Sequence, residues 1–186
     1  DLECVLDDST VFTQSGTTVG GTATQVAVLS IPTTSLELLD IPLLRDADNT
    51  PGHYVAVKGS NTSWTNAALY DSPDDLTYTQ NTVISGAAVM GACNTTLGAW
   101  AGGNFADETN TVTVSVGDGQ LSSTTHEGML SSTTTNAALV GSEVIQFREA
   151  ALVSAGTYTL RGLLRGRRGT EHLTSGHVAG ERFVLL

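Results

Sequence analysis

The chain has 186 residues and a mass of 19.3 kDa, with 40% hydrophobic and 15% charged residues, which excludes the charge-rich, apolar-poor make-up of a disordered chain. A net charge of −11 excludes a sequence-independent grip on nucleic acid by the surface as a whole, because that needs clustered Lys and Arg. No apolar run approaches the ~20 residues of a membrane-spanning helix, and Ser plus Thr make up about a quarter of the chain, residue types that lower helix propensity, so the expected class is all-β.

Residues 1–24 are polar and Gly-rich and read as an extended lead-in. They begin Asp1-Leu2-Glu3-Cys4 without the basic and apolar regions of a secretory signal, as expected of a piece of a longer protein. The run 25–31 has β character and ends at Pro32; 36–44 is apolar and broken by Pro42. Asp46 to Gly52 is a turn by composition, and His53 to Lys58 is a strand. Short strands follow at 67–70, 78–84, 87–92 and 111–116, separated by turns at 71–75 and 117–119. In 111–116 Val alternates with Thr and Ser, which puts Val112, Val114 and Val116 on one buried face.

Ala137 to Val140 is the best helix candidate, one turn ended by Gly141. Beyond it, 144–148 leads through a Ser-Ala-Gly turn at 154–156 to the strand 157–160, a hairpin with Gly156 where φ is positive. Arg165 to Glu171 reads as a loop. The terminal run 182–186 is a strand with Phe183 and Leu185 facing Tyr158 or Leu160. Short strands at these intervals predict a β-sandwich over 31–140 with a smaller C-terminal β subdomain at 141–186, behind the lead-in at 1–30.

Charge divides the chain. Residues 1–142 hold 15 of the 19 acids against Arg45 and Lys58, a net of −13, whereas 143–186 carry six Arg against four Glu, a net of +2; the two parts should attract one another or meet different partners.

The candidate binding residues are five. Arg165, Arg167 and Arg168 concentrate positive charge between Gly166 and Gly169; their donors suit carboxylate or phosphate, either on this chain, the preferred reading, or on an acidic partner. Trp64 and Trp100 stand among Asn, Thr, Ser and Gly, a setting in which an indole stacks on a sugar ring or packs half-buried, again the preferred reading.

Weaker signals point to structure. Ser72 to Tyr78 resembles the Asp-box turn of sialidase-type propellers and predicts a hairpin. Asp46, Asp48 and Asn49 begin like a calcium loop, but Pro51 and Val57 stand where Gly and Glu belong, so an Asx turn is expected. His172 and His177 lack a metal spacing, and the pairs Asp74-Asp75 and Asp107-Glu108 read as solvated surface. Cys4 and Cys93 either pair or stay free. No catalytic residue, metal or cofactor is expected.

Three segments carry a resemblance: 141–148, Gly-Ser-Glu-Val-Ile-Gln-Phe-Arg; 156–171, from Gly-Thr-Tyr-Thr-Leu-Arg to Arg-Arg-Gly-Thr-Glu; and 177–184, His-Val-Ala-Gly-Glu-Arg-Phe-Val. In this order and spacing they resemble the C-terminal region of the hub, or host-specificity, protein at the tail tip of siphophages and gene transfer agents. Upstream, 39–48, 52–56 and 67–72 are also similar, so the likeness covers about 36–186. It implies a structural and interaction module of the distal tail tip of a virion, contributing to distal tail assembly, with no enzymatic activity carried over. It further implies other tail-tip subunits as partners, a homo-oligomer in the particle, and contact with host envelope glycan as an additional role. The alternatives are a carbohydrate-binding adhesin module and an accessory domain of a glycan hydrolase.

Overall fold

Two hairpins and a closed barrel hold the strands of residues 32–49 and 52–186, the part of the chain that the computed structural model describes. The lead-in, the run 25–31 and Cys4 lie outside the described residues. In the first hairpin β1 (Thr34–Leu39) pairs antiparallel with β2 (Tyr54–Gly59), from Thr34 opposite Gly59 to Leu39 opposite Tyr54. The connection makes a short 3-10 turn at Asp46–Asp48. It is tied down by Asp48, whose Oδ2 accepts from the Tyr54 hydroxyl at 2.9 Å and from Arg45 Nε at 3.3 Å. Of the three residues that begin like a calcium loop, Asp48 therefore holds the hairpin's own connection.

The second hairpin, β3 (Asn66–Asp71) with β4 (Thr79–Ser85), forms a separate two-stranded sheet. Its tip is the Asp-box-like turn. Asp74 Oδ1 accepts from Ser72 Oγ, Leu76 N and Thr77 N at 2.9–3.0 Å. Those bonds, Thr77 N and Leu76 N foremost, hold the Asp74 carboxyl below its usual range, because they stabilise the ionised form.

The remaining strands are β5 (Met90–Cys93), β6 (Val112–Ser115), β7 (Ala137–Val140), β8 (Glu143–Ser154), β9 (Thr157–Arg167) and β10 (Arg182–Leu185). They close into an antiparallel barrel in the order β10-β5-β6-β9-β8-β7. The all-β class stands, but the expected sandwich is replaced by this barrel. The closing element is β10, which pairs on both edges, with Phe183 opposite both Gly91 of β5 and Val140 of β7. Closure leaves no free barrel edge to pair elsewhere. The barrel takes three strands from each side of residue 140, and that position lies at the β7–β8 turn, where Val140 pairs with Glu143. The long pair β8 and β9 shifts register between Val144 and Gln146 and between Leu152 and Ser154, the kind of irregularity that lets a sheet curl.

Alternation along the strands sorts the apolar residues into two clusters. Val112, Val114, Val116, Ala138, Val140, Ile145, Phe147, Tyr158, Leu160, Leu163 and Phe183, with Leu185 against them, fill one cluster. The expected Val face and the terminal Phe183–Leu185 face both lie there. Leu139, Val144 and Val184 point the opposite way and join Leu39 and Ala56 of the first hairpin, which covers that side of the wall. β7 is thereby buried on both faces. That explains why Ala-Ala-Leu-Val, read as a helical turn, is a strand: a short run without alternation cannot be told from a helix by period.

The helix that does form, α1 (His126–Ser131), starts at Thr125, whose Oγ1 accepts from Gly128 N at 3.0 Å, an N-cap bond. It buries Met129. The β8–β9 turn is the expected one, with Gly156 at φ +67 and packed so closely that a Cβ there would lie 2.0 Å from the Gly117 carbonyl oxygen.

Candidate functional site

At the barrel end where β5, β7 and β9 finish and β8 and β10 begin, five ionisable side chains form one buried cluster. Arg165 lies on β9 and not in a loop, because the strand runs on to Arg167. The side chains of Arg165, Asp107 and Glu143 are fully buried. Arg165 Nε and Nη2 grip the Glu143 carboxylate at 2.9 and 2.8 Å; Nη1 donates to Asp107 Oδ2 at 3.2 Å and to the Gly98 carbonyl at 2.9 Å; Nη2 also reaches the Thr174 carbonyl at 3.2 Å. All five guanidinium protons thus meet acceptors of this chain.

The acids are held as firmly. Glu143 also accepts from Gly166 N at 2.6 Å, and Asp107 accepts from Thr109 N, Asn110 N and Asn110 Nδ2. His177 completes the set, with Nε2 2.8 Å from Glu143 and Nδ1 2.8 Å from Glu181. Beside the cluster, Cys93 is a free buried thiol. Burial, and secondly the Glu181 charge, push it up to about 12, so it is a poor nucleophile at neutral pH. A cluster enclosed and hydrogen-bonded in this way ties together the segments at the barrel end.

The sequence pointed to parts of this cluster and misjudged others. Arg165 makes the internal ion pairs preferred for it. Asp107, expected in solvent, is buried, while its neighbour Glu108 is half-exposed and paired with Arg148. His177 is buried between two glutamates, whereas His172 is exposed. Glu143 and Glu181 were not singled out. The available signal was that Glu143 is the one charged residue between Ala137 and Phe147 and that Arg165 directly follows Leu163 and Leu164.

The other candidate residues lie apart from this cluster. Arg167 Nε donates to Gln146 Oε1 at 3.1 Å, and Arg168 Nη2 donates to the Leu44 carbonyl and to Thr133 Oγ1; both are half-buried. Trp100 is half-buried, with its ring over Gly102 and Nε1 3.3 Å from the Gly103 carbonyl. Trp64 is also half-buried, and Nε1 donates to Thr34 Oγ1 at 2.9 Å. Its indole lies against Gly59, where a Cβ would sit 2.2 Å from Cγ.

Trp64 borders a groove of about 620 Å³ between the open end of the first hairpin and the barrel segments 87–89 and 116–120. Lys58 lies in the groove, its Nζ 2.7 Å from the Met90 carbonyl and 3.4 Å from the Val116 carbonyl. Asn61, Thr62, Asp118 and Gln120 add exposed polar groups. The structure therefore separates these two candidates: Arg165 is buried against partners of this chain, and Trp64 borders an accessible polar groove.

No curated protein matches the chain. A family model described as Rcc01698-like, C-terminal, matches residues 88–184, a span that begins just before β5, ends within β10 and leaves out both outer hairpins. Rcc01698 is a gene-transfer-agent protein. With the barrel matched from its first strand to its last, the chain belongs to the Rcc01698-like C-terminal family, a family associated with gene transfer agents.

Proposed function

We propose that this chain is a structural and interaction module of the tail-tip hub of a phage-like particle, contributing to assembly of the distal tail. The observation that carries the reading is the family match across the barrel strands. The barrel supports it physically: its end is locked by the Arg165 cluster, which suits a rigid scaffold element better than a reaction site. The second hairpin supports an interaction role, since Tyr70 and Val83 on its strands and Leu76 and Tyr78 in its turn are all more than half-exposed, and such a hairpin is marginal without something to pack on. In this reading the partners are other tail-tip subunits and further copies of the chain, the location is the distal end of the virion, and the module binds without catalysing.

The test is immunogold labelling of intact particles released by cells that encode the chain, with antibody raised against residues 32–186. Gold at the distal tail is the expected result. Gold confined to the capsid, or particles that contain none of the chain, overturns the proposal.

A further inference from the structure

We infer that the groove beside Trp64 is a binding site for a neutral saccharide. The groove's volume of about 620 Å³ falls within the roughly 300–1,000 Å³ of small-ligand sites. Its wall is an indole held in place before any ligand arrives. One edge of the ring is fixed by the bond from Nε1 to Thr34 Oγ1, and the ring rests on Gly59, where only a residue without a side chain fits. A fixed aromatic surface is what the apolar face of a pyranose meets, and pre-organisation lowers the ordering cost of binding.

The polar groups around that wall match hydroxyls. Asn61 uses Oδ1 to accept from Ser63 N at 2.9 Å, and among the described residues its amide protons have no acceptor. Lys58 spends two of its three donors on the Met90 and Val116 carbonyls, leaving one for an oxygen in the groove. Asp118 supplies an acceptor, and Thr62 and Gln120 supply groups that donate and accept.

Charge decides between ligand classes. The lining carries one cation, Lys58, and one carboxylate, Asp118, on a chain of net charge −11. A phosphorylated or polyanionic ligand would meet no excess of positive charge, whereas an uncharged sugar needs none. The groove is also away from the Arg165 cluster, beside the start of β5 and the end of β6. Saccharide binding would give the particle tip a contact with envelope glycan; that biological source rests on the reading above, while the binding itself does not.

The full chain is titrated, by saturation-transfer NMR and calorimetry, with methyl glycosides of glucose, galactose, mannose, N-acetylglucosamine and rhamnose up to about 50 mM, and with glucuronic acid. At least one neutral glycoside should saturate with a dissociation constant in the range of about 1–10 mM, as expected of so small a ligand. Trp64→Ala should weaken it about tenfold or more. Because that change could loosen the first hairpin, Gln120→Ala and Asp118→Ala at exposed positions should each weaken binding about threefold or more at an unchanged melting temperature. Trp100→Phe should leave it unchanged. Saturation by no neutral glycoside, tighter binding of glucuronic acid than of any neutral sugar, or equal binding by all the groove variants overturns the proposal. Labelled tail tips without sugar binding would remove the groove alone, and sugar binding by a chain absent from tails would remove only the tail-tip reading.

Discussion

Replacing Arg165 by Ala should destabilise the barrel more than any exposed substitution. The change removes the cation that stands between two carboxylates with no exposed side-chain surface, and it leaves the Gly98 and Thr174 carbonyls without the donor that served them. Leaving one partner of a buried ion pair uncompensated costs about 3–5 kcal/mol. At about 2–4 °C per kcal/mol for a chain of this size, the melting temperature should fall by roughly 6–20 °C. Arg165→Lys isolates the shape of the guanidinium from its charge. A single ammonium cannot span Glu143, Asp107 and two carbonyls at once, so a loss of about 1–3 kcal/mol is expected. Urea unfolding followed by tryptophan fluorescence supplies the free energies, with the denaturant slope checking that the unfolded state is unchanged. If Arg165→Ala lay within about 1 kcal/mol of the parent at an equal slope, the cluster would have to be solvated, and the argument from burial would fail.

The double variant Arg167→Glu with Arg168→Glu removes the bonds to Gln146, the Leu44 carbonyl and Thr133. It should lower stability by about 1–3 kcal/mol; an unchanged melt combined with defective particles would assign these arginines to an acidic partner instead. Cys93, raised from 9.0 to about 12, is protonated in the folded chain at pH 8, with a thiolate fraction of about 10⁻⁴. Mass spectrometry of the Cys93 peptide should show alkylation only once the chain unfolds, and rapid labelling of native protein would contradict the buried placement. Folding favours the neutral thiol, so its contribution to stability is complete below pH 9 and is lost as the pH rises toward 12. Truncation after Glu181 deletes β10 and opens the barrel along both β5 and β7; the product should be insoluble or unfolded, and a soluble product with the parent melting temperature would refute the account of closure.

Periodicity made the faces of strands legible, and it failed where both faces of a strand are covered. Val112, Val114 and Val116 alternate with polar residues because β6 has one face in the core and the other only partly buried, so their burial could be read directly. β7 is enclosed on both sides and lost its alternation, which made it resemble a helical turn. α1 was missed for the opposite reason: Gly128 and flanking Ser and Thr gave it no helical signature, and it forms because Thr125 caps it and Met129 finds the core. The choice between sandwich and barrel depended on whether the last strand pairs once or twice, a long-range fact that no local pattern encodes.

The same distinction between order along the chain and proximity in space governs the charges. Divided at residue 142, the sequence is an acidic piece followed by a basic one, and among the described residues three ion pairs do cross that divide: Arg148 with Glu108, Arg165 with Asp107 and Arg182 with Glu37. What the division could not show is depth. Arg148 and Arg182 sit near the surface, each with 30% of its side chain accessible, where such pairs contribute little, whereas Arg165 has none. The feature that separates Arg165 is its neighbours in sequence: Leu163 and Leu164 precede it on a strand whose interior face is already committed to the core. A charged residue carried inward by such a strand must find partners among residues that the fold brings to the same barrel end. Those partners, Asp107, Glu143 and the Glu143-bound His177, come from three separate segments. The cluster can therefore form only after the β5–β6 connection, the start of β8, the end of β9 and the segment leading into β10 have come together. That makes it a condition on the barrel's closure, and Arg165→Ala should act mainly by speeding unfolding, with little effect on the rate of folding.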